Sequence, residues 1–429
     1  MRAIAPATAV VGHVAVPGDK SISHRALLLA AVGDGETRIR GWGRSLDTES
    51  TLEAVRALGV RVDESGPDQL VVHGAGLHGL QEPDGPIDCG NSGTTVRLLA
   101  GLLAGHGGRF ELTGDESLCA RPMERIAEPL RRMGARVETT DGRAPLVVES
   151  AGLHGIEYES PVASAQVKSA LLLAGLYAAG PTTVVEPLAT RNHTELMLRP
   201  AGARVTRRGR RITIQPAARL ALGTLDVPGD VSAAAPFVAA ACLLPGSELT
   251  VHEVGLNPTR SGFLDVLAHM GARLTVLHRR RAGGEQLGDV DVRPSELVAT
   301  RVLQGQVPLL VDELPLLALV AGMARGTTTV RGAAELRVKE TDRIEAVTAA
   351  LRPLGIHIEG RADGFRVRGV PARPRGGTVV DTRGDHRIAM LGAVAGLVSR
   401  KGVRIEGDEA VAVSFPEFFD VVEAVAQRS

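Results

Sequence analysis

The chain has 429 residues with 49 basic and 49 acidic side chains, so it has no net charge that would attract a nucleic acid. Hydrophobic residues make up 44% of it and charged residues 23%, which excludes a disordered or fibrous protein. Aromatic residues make up only 2%, too few for stacking along a nucleic-acid strand. The longest apolar run, residues 170–180, is far shorter than the roughly 20 residues of a membrane span, and no export signal is visible. Three widely spaced cysteines, Cys89, Cys119 and Cys242, suit a reducing compartment. We therefore expect a cytoplasmic protein without nucleic-acid or membrane partners.

Six Ala/Leu-rich segments predict apolar helices, and each is followed by a glycine that can cap it in a left-handed conformation. These segments are residues 26–32, 96–104, 167–179, 233–244, 314–324 and 388–399, with Gly35, Gly107, Gly180, Gly246, Gly326 and Gly402 after them. A second set predicts amphipathic helices that lead through a glycine into a strand. This set comprises residues 52–62, 127–137, 197–205, 264–274, 347–358 and 417–426.

The two kinds of helix alternate along the chain, which indicates six repeats of strand–helix–strand–helix–strand, each of roughly 70 residues. The tetrapeptide Val-Pro-Gly-Asp occurs at residues 16–19 and again at residues 227–230, each time before an apolar helix. We therefore predict an α/β protein of two domains with three repeats each. The first domain spans residues 16–227, and the second combines residues 1–15 with residues 228–429.

Charged side chains in the first half concentrate at predicted helix starts, where free amide groups and the helix dipole favour anions. In residues 18–25, Lys20, Ser21 and Arg25 could bind an anion, although solvated charges on a capped helix explain them equally well. Similar turns occur at residues 91–97, 121–123, 164–168 and 191–195. Each of these turns is ambiguous when it is taken alone.

In the second half, Asp312 precedes an apolar helix, and acidic residues there are usually partners of the helix dipole. Residues 337–343 hold five charges in seven positions, so Lys339 and Glu340 are either a proton-transfer pair or a surface ion pair. His386 is a reserve candidate for proton transfer. If equivalent helices point the same way, the cations at their starts converge, which is costly unless anions neutralise them. The pattern therefore predicts a site for small ligands that carry phosphate and carboxylate groups.

The sequence holds no closely spaced metal-ligand set, no Walker loop and no Gly-x-Gly-x-x-Gly turn after a strand, so we expect neither metal nor cofactor. Covalent chemistry at Cys119 is possible, but a structural thiol is the better interpretation. Only four of the 49 basic residues are lysines, namely Lys20, Lys168, Lys339 and Lys401. A lysine kept in such a chain can mark a position that needs a compact ammonium group.

Five motifs, in this order, resemble the 5-enolpyruvylshikimate-3-phosphate (EPSP) synthase family along essentially the whole chain. They are Asn-Ser-Gly-Thr at 91–94, Arg-Pro at 121–122, Ser-Ala-Gln-Val-Lys at 164–168, the charged segment 337–343 and Asp-His-Arg at 385–387. Residues 191–195 and 257–260 resemble the class II branch. The resemblance implies a two-domain inside-out α/β barrel, monomeric, with the active site between its domains. It also implies transfer of the enolpyruvyl group of phosphoenolpyruvate to the 5-hydroxyl of shikimate 3-phosphate, with release of phosphate.

The resemblance further implies a role for individual residues. Shikimate 3-phosphate would be held by Lys20, Ser21, Arg25, Ser164, Ala165, Gln166, Arg191, Asp312 and Lys339. Phosphoenolpyruvate would be held by Lys20, Gly93, Arg121, Gln166, Arg343 and Arg387. Asp312 would accept the hydroxyl proton, and Glu340 with a neighbouring lysine would protonate the methylene carbon; Lys20 is the third expected catalytic residue. Val413 departs from the pattern, because one branch of the family has a lysine there.

Two alternatives remain at this point. The first is the related UDP-N-acetylglucosamine enolpyruvyltransferase, whose Lys-Asn motif at the first turn and loop cysteine before Arg-Pro are absent here. The second is a non-catalytic anion-binding protein of the same fold, because a fold by itself does not define an activity. The presence of Asp312, Lys339 and Glu340 argues against the second alternative.

Overall fold

The apolar helices and β-branched strands of the sequence build two units in a computed structural model that describes residues 1–428. The first unit comprises Gly18–Val227 together with Arg281–Glu285. The second unit comprises Met1–Pro17, Pro228–Arg280 and the residues from Gln286 onward. The division differs from the predicted one at two short segments, because residues 16–17 belong to the second unit and residues 281–285 to the first.

The chain opens with two strands of the second unit, β1 (Arg2–Ile4) and β2 (Ala9–Ala15). The first unit then follows with seven helices and twelve strands, which are, in chain order, α1 (Lys20–Ala31), β3 (Asp34–Arg40), α2 (Leu46–Ala57), β4 (Arg61–Gly66), β5 (Gln69–Ala75), β6 (Ile87–Asp88), α3 (Gly93–Leu103), β7 (Arg109–Thr113), α4 (Glu116–Cys119), α5 (Glu124–Arg132), β8 (Arg136–Thr140), β9 (Arg143–Glu149), β10 (Glu157–Glu159), α6 (Ala165–Gly175), β11 (Thr182–Val185), α7 (His193–Leu198), β12 (Val205–Arg208), β13 (Arg211–Ile214) and β14 (Thr224–Asp226).

The twelve strands of the first unit form three sheets of the same design. Their strand orders are β14-β3-β5-β4, β6-β7-β9-β8 and β10-β11-β13-β12. In each sheet the first two strands are parallel and the other neighbours are antiparallel. Each repeat therefore ends in a β-hairpin, whereas the sequence predicted a single strand after the second helix.

The core of the first unit is made by the apolar helices α1, α3 and α6, on which nearly every residue is buried. A helix that is apolar on all sides belongs inside a protein, so the sheets cover the helices rather than the reverse. Helices α3 and α6 approach closely at Gly101, where an added β-carbon would lie 2.2 Å from the carbonyl oxygen of Ala170. Any larger residue at this position would push the two helices apart.

The second unit continues with the remaining six helices and ten strands. These are, in chain order, α8 (Val231–Leu243), β15 (Glu248–Gly255), α9 (Gly262–His269), β16 (Arg273–Ala282), β17 (Glu285–Arg293), β18 (Arg301–Val302), α10 (Leu314–Met323), β19 (Gly326–Val330), α11 (Arg343–Leu351), β20 (His357–Arg361), β21 (Gly364–Gly369), β22 (Thr378–Asp381), α12 (His386–Val398), β23 (Val403–Glu406), α13 (Phe418–Val425) and β24 (Ala426–Gln427). Short 3₁₀ helices occupy Val307–Leu309, Ala334–Val338, Arg352–Leu354 and Asp408–Val413.

The sheets of the second unit are completed by the start of the chain. Their strand orders are β16-β17-β15-β2-β24, β18-β19-β21-β20 and β1-β23-β22. Strand β2 pairs parallel with β15, and β1 pairs antiparallel with β23, so the first 15 residues supply the strands that residues 228–428 lack. Helices α8, α10 and α12 are buried in a hydrophobic core that belongs to this unit. The predicted fold of six repeats, three in each unit, is confirmed.

Five of the six glycines predicted to cap the apolar helices have a positive φ, but each lies two to four residues beyond the C-cap residue of its helix. The glycines after the amphipathic helices have φ of 84° to 104°, values that L-amino acids with side chains rarely adopt; they are Gly59, Gly134, Gly202, Gly271 and Gly355. After α3 the cap is wrongly predicted, because the positive φ (124°) falls at Gly108 rather than at Gly107. Helix α5 starts at Glu124, two residues after Pro122. None of the helices within residues 1–428 has the length and apolarity that a membrane crossing requires.

Candidate active site

The start of α1 positions Lys20, the first of the predicted site residues. Gly18 lies so close to the backbone of Gly41 that an added β-carbon would be 1.8 Å from its carbonyl oxygen. Asp19 caps the helix by accepting a hydrogen bond from the amide of Ile22 at 2.9 Å. Lys20 then follows, with its Nζ 2.6 Å from Oδ2 of Asp47. Sequence reasoning missed Asp47, which fixes the direction of the Lys20 ammonium group.

Arg25 is buried one turn further along α1, with 4% of its surface exposed. Its guanidinium donates at 2.8 Å to three uncharged acceptors, which are Oγ1 of Thr194, Oγ of Ser169 and the carbonyl oxygen of Ser21. Burial, and then the neighbouring charge of Arg191, lower the pKa of Arg25 to about 10. A buried cation whose hydrogen bonds end on neutral groups retains a strong attraction for an anion.

Arg191 lies beside the start of α1. Its Nη1 is 3.4 Å from the hydroxyl of Ser21, to which it donates. Ser21 and Arg191 are 170 residues apart in the sequence. The fold of the first unit brings them together with Arg25. We refer to these three residues as the arginine pair site.

The starts of α3 and α6 place a second group of predicted residues. Ser164 caps α6 by accepting from the amide of Val167 at 3.3 Å, so Ala165 begins the helix with its amide free for a ligand. Gln166 is held by both ends of its amide, since Oε1 accepts from Arg97 at 2.7 Å and Nε2 donates to Thr94 at 3.0 Å. The orientation of Gln166 is therefore set before any ligand binds.

Gly93 opens helix α3 between two guanidinium groups. A β-carbon at Gly93 would lie 2.7 Å from Nη1 of Arg97 and 3.3 Å from Nη1 of Arg121. Arg121 also donates to Asn91, and to Oγ of Ser117 at 3.1 Å. The absence of a side chain at Gly93 therefore keeps room beside two cations.

In the second unit, a single buried guanidinium gathers three carboxylates. Arg343 has 2% of its side chain exposed, and its nitrogens lie 2.8 Å from Asp385, 3.2 Å from Asp312 and 2.6 Å from Glu340. Burial alone would lower the pKa of Arg343, but Asp385, Glu340 and Asp312 together raise it above its ordinary value. Asp312, Glu340 and Arg343 were predicted as site residues from the sequence. Asp385 lies in a family motif, but no role was predicted for it. We refer to these four residues as the carboxylate cluster.

Lys339 and Arg387 lie at the neighbouring helix starts of this unit. Burial lowers the pKa of Lys339, and the charge of Asp312 opposes this shift. Arg387, the second residue of α12, donates to the carbonyl oxygen of Ser232 at 3.3 Å. His386, the reserve candidate, is buried with its Nδ1 3.9 Å from Asp385.

Arg260 joins the carboxylate cluster from the loop before α9, and sequence reasoning gave it no role beyond a family motif. Its Nη2 is 3.0 Å from Oδ1 of Asp230, the residue that caps α8, and its Nη1 is 3.6 Å from Oδ2 of Asp312. Asp312 therefore lies near two arginines. The adjacent Glu313 accepts from Ser232, and burial raises the pKa of Glu313 above its usual value.

The cysteines have the character of structural thiols. Cys89 and Cys242 are buried, and burial raises the pKa of both, that of Cys242 to about 12. Cys119 donates to the carbonyl oxygen of Gly114 at 3.4 Å. Across the described part of the chain, no three His, Cys, Asp or Glu side chains are grouped so that they could hold a metal ion.

Comparison with known proteins shows which family has this sequence and fold. Residues 4–422 match the family model of EPSP synthase (3-phosphoshikimate 1-carboxyvinyltransferase). The 3-phosphoshikimate 1-carboxyvinyltransferase of Citrifermentans bemidjiense is 47% identical over 99% of this chain and 99% of its own. That of a Synechococcus species is 50% identical over 95% of this chain and 94% of its own. The solved structure of EPSP synthase from Acinetobacter baumannii superposes with a TM-score of 0.88 at 41% identity, covering 99% of this chain and 97% of its own.

A more distant structure, the enolpyruvyl transferase NikO from Streptomyces tendae, has the same fold, with a TM-score of 0.80 at 20% identity. The six repeats built around buried helices are therefore the enolpyruvyl transferase fold. Within that fold class, the chain belongs to the EPSP synthase family. The predicted family, fold and enzyme class are confirmed, and the UDP-N-acetylglucosamine enzyme is not favoured.

Proposed function

We propose that the protein transfers the enolpyruvyl group of phosphoenolpyruvate to the 5-hydroxyl of shikimate 3-phosphate and releases phosphate. This reaction belongs to the pathway that leads to chorismate and the aromatic amino acids. The observation that carries the proposal is that Arg343 holds Asp312 at 3.2 Å and Glu340 at 2.6 Å. The two carboxylates that the reaction needs for proton transfer therefore belong to one cluster.

We assign shikimate 3-phosphate to the arginine pair site together with the start of α6. The buried charge of Arg25 and the neighbouring Arg191 favour a doubly charged phosphate, which arginine can bind through paired hydrogen bonds. The amide at Ala165 and the oriented side chain of Gln166 are available to further oxygens of the substrate. The remaining residues assigned to this substrate are Lys20, Ser164, Asp312 and Lys339.

We assign phosphoenolpyruvate to the cations around Gly93 and to two arginines of the second unit. Gly93 leaves space beside Arg121, and Lys20 adds a compact ammonium charge. The other residues assigned to this substrate are Gln166, Arg343 and Arg387.

The reaction proceeds by addition and then elimination. The hydroxyl oxygen bonds to the central carbon of phosphoenolpyruvate while its proton passes to Asp312, and the methylene carbon takes a proton from Glu340 and a lysine. The tetrahedral ketal then returns a proton from its new methyl group to Glu340, as the carbon–oxygen bond to phosphate breaks and phosphate leaves. Arg343 and Arg260 favour the ionised form of Asp312 that a base requires. Cations beside the phosphate stabilise the charge that it carries away.

The decisive experiment measures phosphate release in the presence of both substrates. We expect rapid release by the wild type, and at least about a hundredfold slower release by Asp312→Ala, because a positioned proton acceptor contributes about that factor. Asp63→Ala, which removes a carboxylate paired with Arg61 on the surface, serves as the control and should match the wild type. Equal rates for Asp312→Ala and wild type would remove Asp312 from the mechanism.

The same assay separates the alternatives. Release that requires UDP-N-acetylglucosamine instead of shikimate 3-phosphate would contradict the proposed acceptor. Binding of both substrates without any release would indicate a non-catalytic protein of this fold. We also propose that the protein works as a cytoplasmic monomer without nucleic-acid or membrane partners, in keeping with its zero net charge, and sedimentation at assay concentration tests the monomer.

A further inference from the structure

A buried ionic cluster in the first unit lies outside all the contacts assigned above. Lys168 on α6 has 1% of its side chain exposed, and Glu186 and Glu195 have 2% each. The Nζ of Lys168 is 3.1 Å from Oε1 of Glu186 and 2.9 Å from Oε1 of Glu195. Arg207 reaches the other oxygen of Glu186 at 3.6 Å, so two cations balance two carboxylates.

Stability is a weak explanation for this cluster. Taking each charge out of water costs several kcal/mol, and apolar residues of similar volume often serve a protein core equally well. The choice of lysine is also unusual, because the chain uses arginine at 45 of its 49 basic positions and lysine at only four. A compact ammonium group fits between two carboxylates where a planar guanidinium would need more room.

The cluster adjoins the hydrogen bonds that hold Arg25. Lys168 and Ser169 are consecutive on α6, and Thr194 and Glu195 are consecutive on α7. Lys168 pairs with Glu195 at 2.9 Å, while Ser169 bonds to Thr194 at 2.7 Å. The hydroxyls of Ser169 and Thr194 each accept a hydrogen bond from Arg25 at 2.8 Å. The Lys168–Glu195 ion pair and the Ser169–Thr194 hydrogen bond, which holds Arg25, therefore join α6 to α7 at neighbouring positions.

Helix α7 has only six residues and depends on such links for its position. Its first residue, His193, bonds through Nδ1 to Glu285 at 2.7 Å, and its third, Glu195, is the partner of Lys168. Arg191 lies two residues before the helix. A displacement of α7 would therefore move the Thr194 support of Arg25 and would also move Arg191.

We propose that Lys168 is a positioning residue for shikimate 3-phosphate. Through Glu195 it fixes α7 against α6, so that Ser169 and Thr194 hold the guanidinium of Arg25 in the direction that the substrate phosphate requires. Lys168 itself touches no substrate. This inference rests on the proposed function, specifically on the assignment of Arg25 and Arg191 to shikimate 3-phosphate.

The test compares the KM values for the two substrates in Lys168→Met. We expect KM for shikimate 3-phosphate to rise about tenfold, because small misplacements of binding groups are costly, whereas KM for phosphoenolpyruvate and kcat change less than about twofold. Lys168→Arg, which keeps the charge, should recover part of the loss. Lys401→Met, at an exposed lysine, is the matched control and should leave all three constants unchanged.

A merely structural role predicts a different pattern. Loss of folded protein lowers the apparent kcat and leaves both KM values unchanged, and that result with Lys168→Met would overturn the inference. If Lys168→Met does not fold, Glu195→Gln replaces it, since that variant keeps the shape and the pairing of Lys168 with Glu186. An unchanged KM for shikimate 3-phosphate in Glu195→Gln would equally overturn it.

Arg25→Met separates this inference from the proposed function. If Arg25→Met raises KM for shikimate 3-phosphate and Lys168→Met does not, the positioning role is wrong and the binding assignment stands. If Arg25→Met leaves that KM unchanged, the assignment of Arg25 is wrong, and the positioning role fails with it.

Discussion

Each unit buries several arginines, and Arg25 of the first unit differs in its partners from Arg343 of the second. Arg25 of the first unit donates to two hydroxyls and a backbone carbonyl, and its pKa is lowered to about 10, first by burial and then by Arg191. Arg343 of the second unit lies against three carboxylates, which overcome the effect of burial and raise its pKa. The charge of Arg25 is left for a ligand, whereas much of the charge of Arg343 is used to hold acidic side chains in place.

The starts of α1 and α8 also differ between the two units in the charges that they carry. The turn Val-Pro-Gly-Asp precedes a buried helix in both, and Asp19 and Asp230 cap α1 and α8 alike. After the cap, Lys20 of the first unit corresponds to Val231 of the second, and Arg25 to Pro236. Equivalent helix starts therefore carry Lys20 and Arg25 in one unit, while in the other Asp230 pairs with Arg260. The repeated scaffold thus carries two cations on this helix in one unit and an aspartate–arginine pair at its start in the other.

The largest effect is expected from Arg343→Met. Removal of this guanidinium leaves Asp385 buried with two more carboxylates nearby, and breaking a buried ion pair in this way typically costs about 3–5 kcal/mol. We expect a lower free energy of unfolding in urea and loss of measurable phosphate release. Arg383→Met, which removes a surface pair with Glu345, is the control and should change stability by less than about 1 kcal/mol. Similar unfolding curves for Arg343→Met and Arg383→Met would contradict the expected difference in stability between the buried and the surface ion pair.

A smaller effect, confined to binding, is expected from Arg25→Met. Its partners are hydroxyls that can bond to water or to one another, so the loss of stability should be well below that of Arg343→Met. The main loss is in substrate binding. We therefore expect kcat/KM for shikimate 3-phosphate to fall about a hundredfold because KM rises. Steady-state kinetics with each substrate varied in turn measures this. Arg211→Met, at an exposed pair with Glu157, should leave the kinetics unchanged.

The smallest effect is a shift in pH dependence caused by Lys339. Burial lowers the pKa of this ammonium below the ordinary 10.5, so it loses its proton at a lower pH than an exposed lysine. If the charged form is required, the rate of phosphate release falls as pH rises through that lowered value. Lys339→Arg stays protonated and should move the alkaline fall to higher pH. Identical alkaline limbs in the pH–rate profiles would show that Lys339 does not control them.

The repeats could be predicted because their signals are local. Alanine and leucine on every side of a helix indicate burial, and five of the six glycines after the apolar helices have the left-handed φ that was expected of them. The hairpins that close five of the six repeats were missed. Strands such as β16 (Arg273–Ala282) carry charged and exposed side chains over most of their length, so alternation does not reveal them.

The sequence by itself determined the six repeats, the family and the identity of the cations at the helix starts. Each follows from spacing or from motifs within a few residues of one another. Only the tertiary structure decided which groups these cations meet. Thr194 is 169 positions from Arg25, and Asp385 is 42 positions from Arg343. Such pairs form because separate helices pack against a common core, and packing over these separations leaves no periodic trace in the chain.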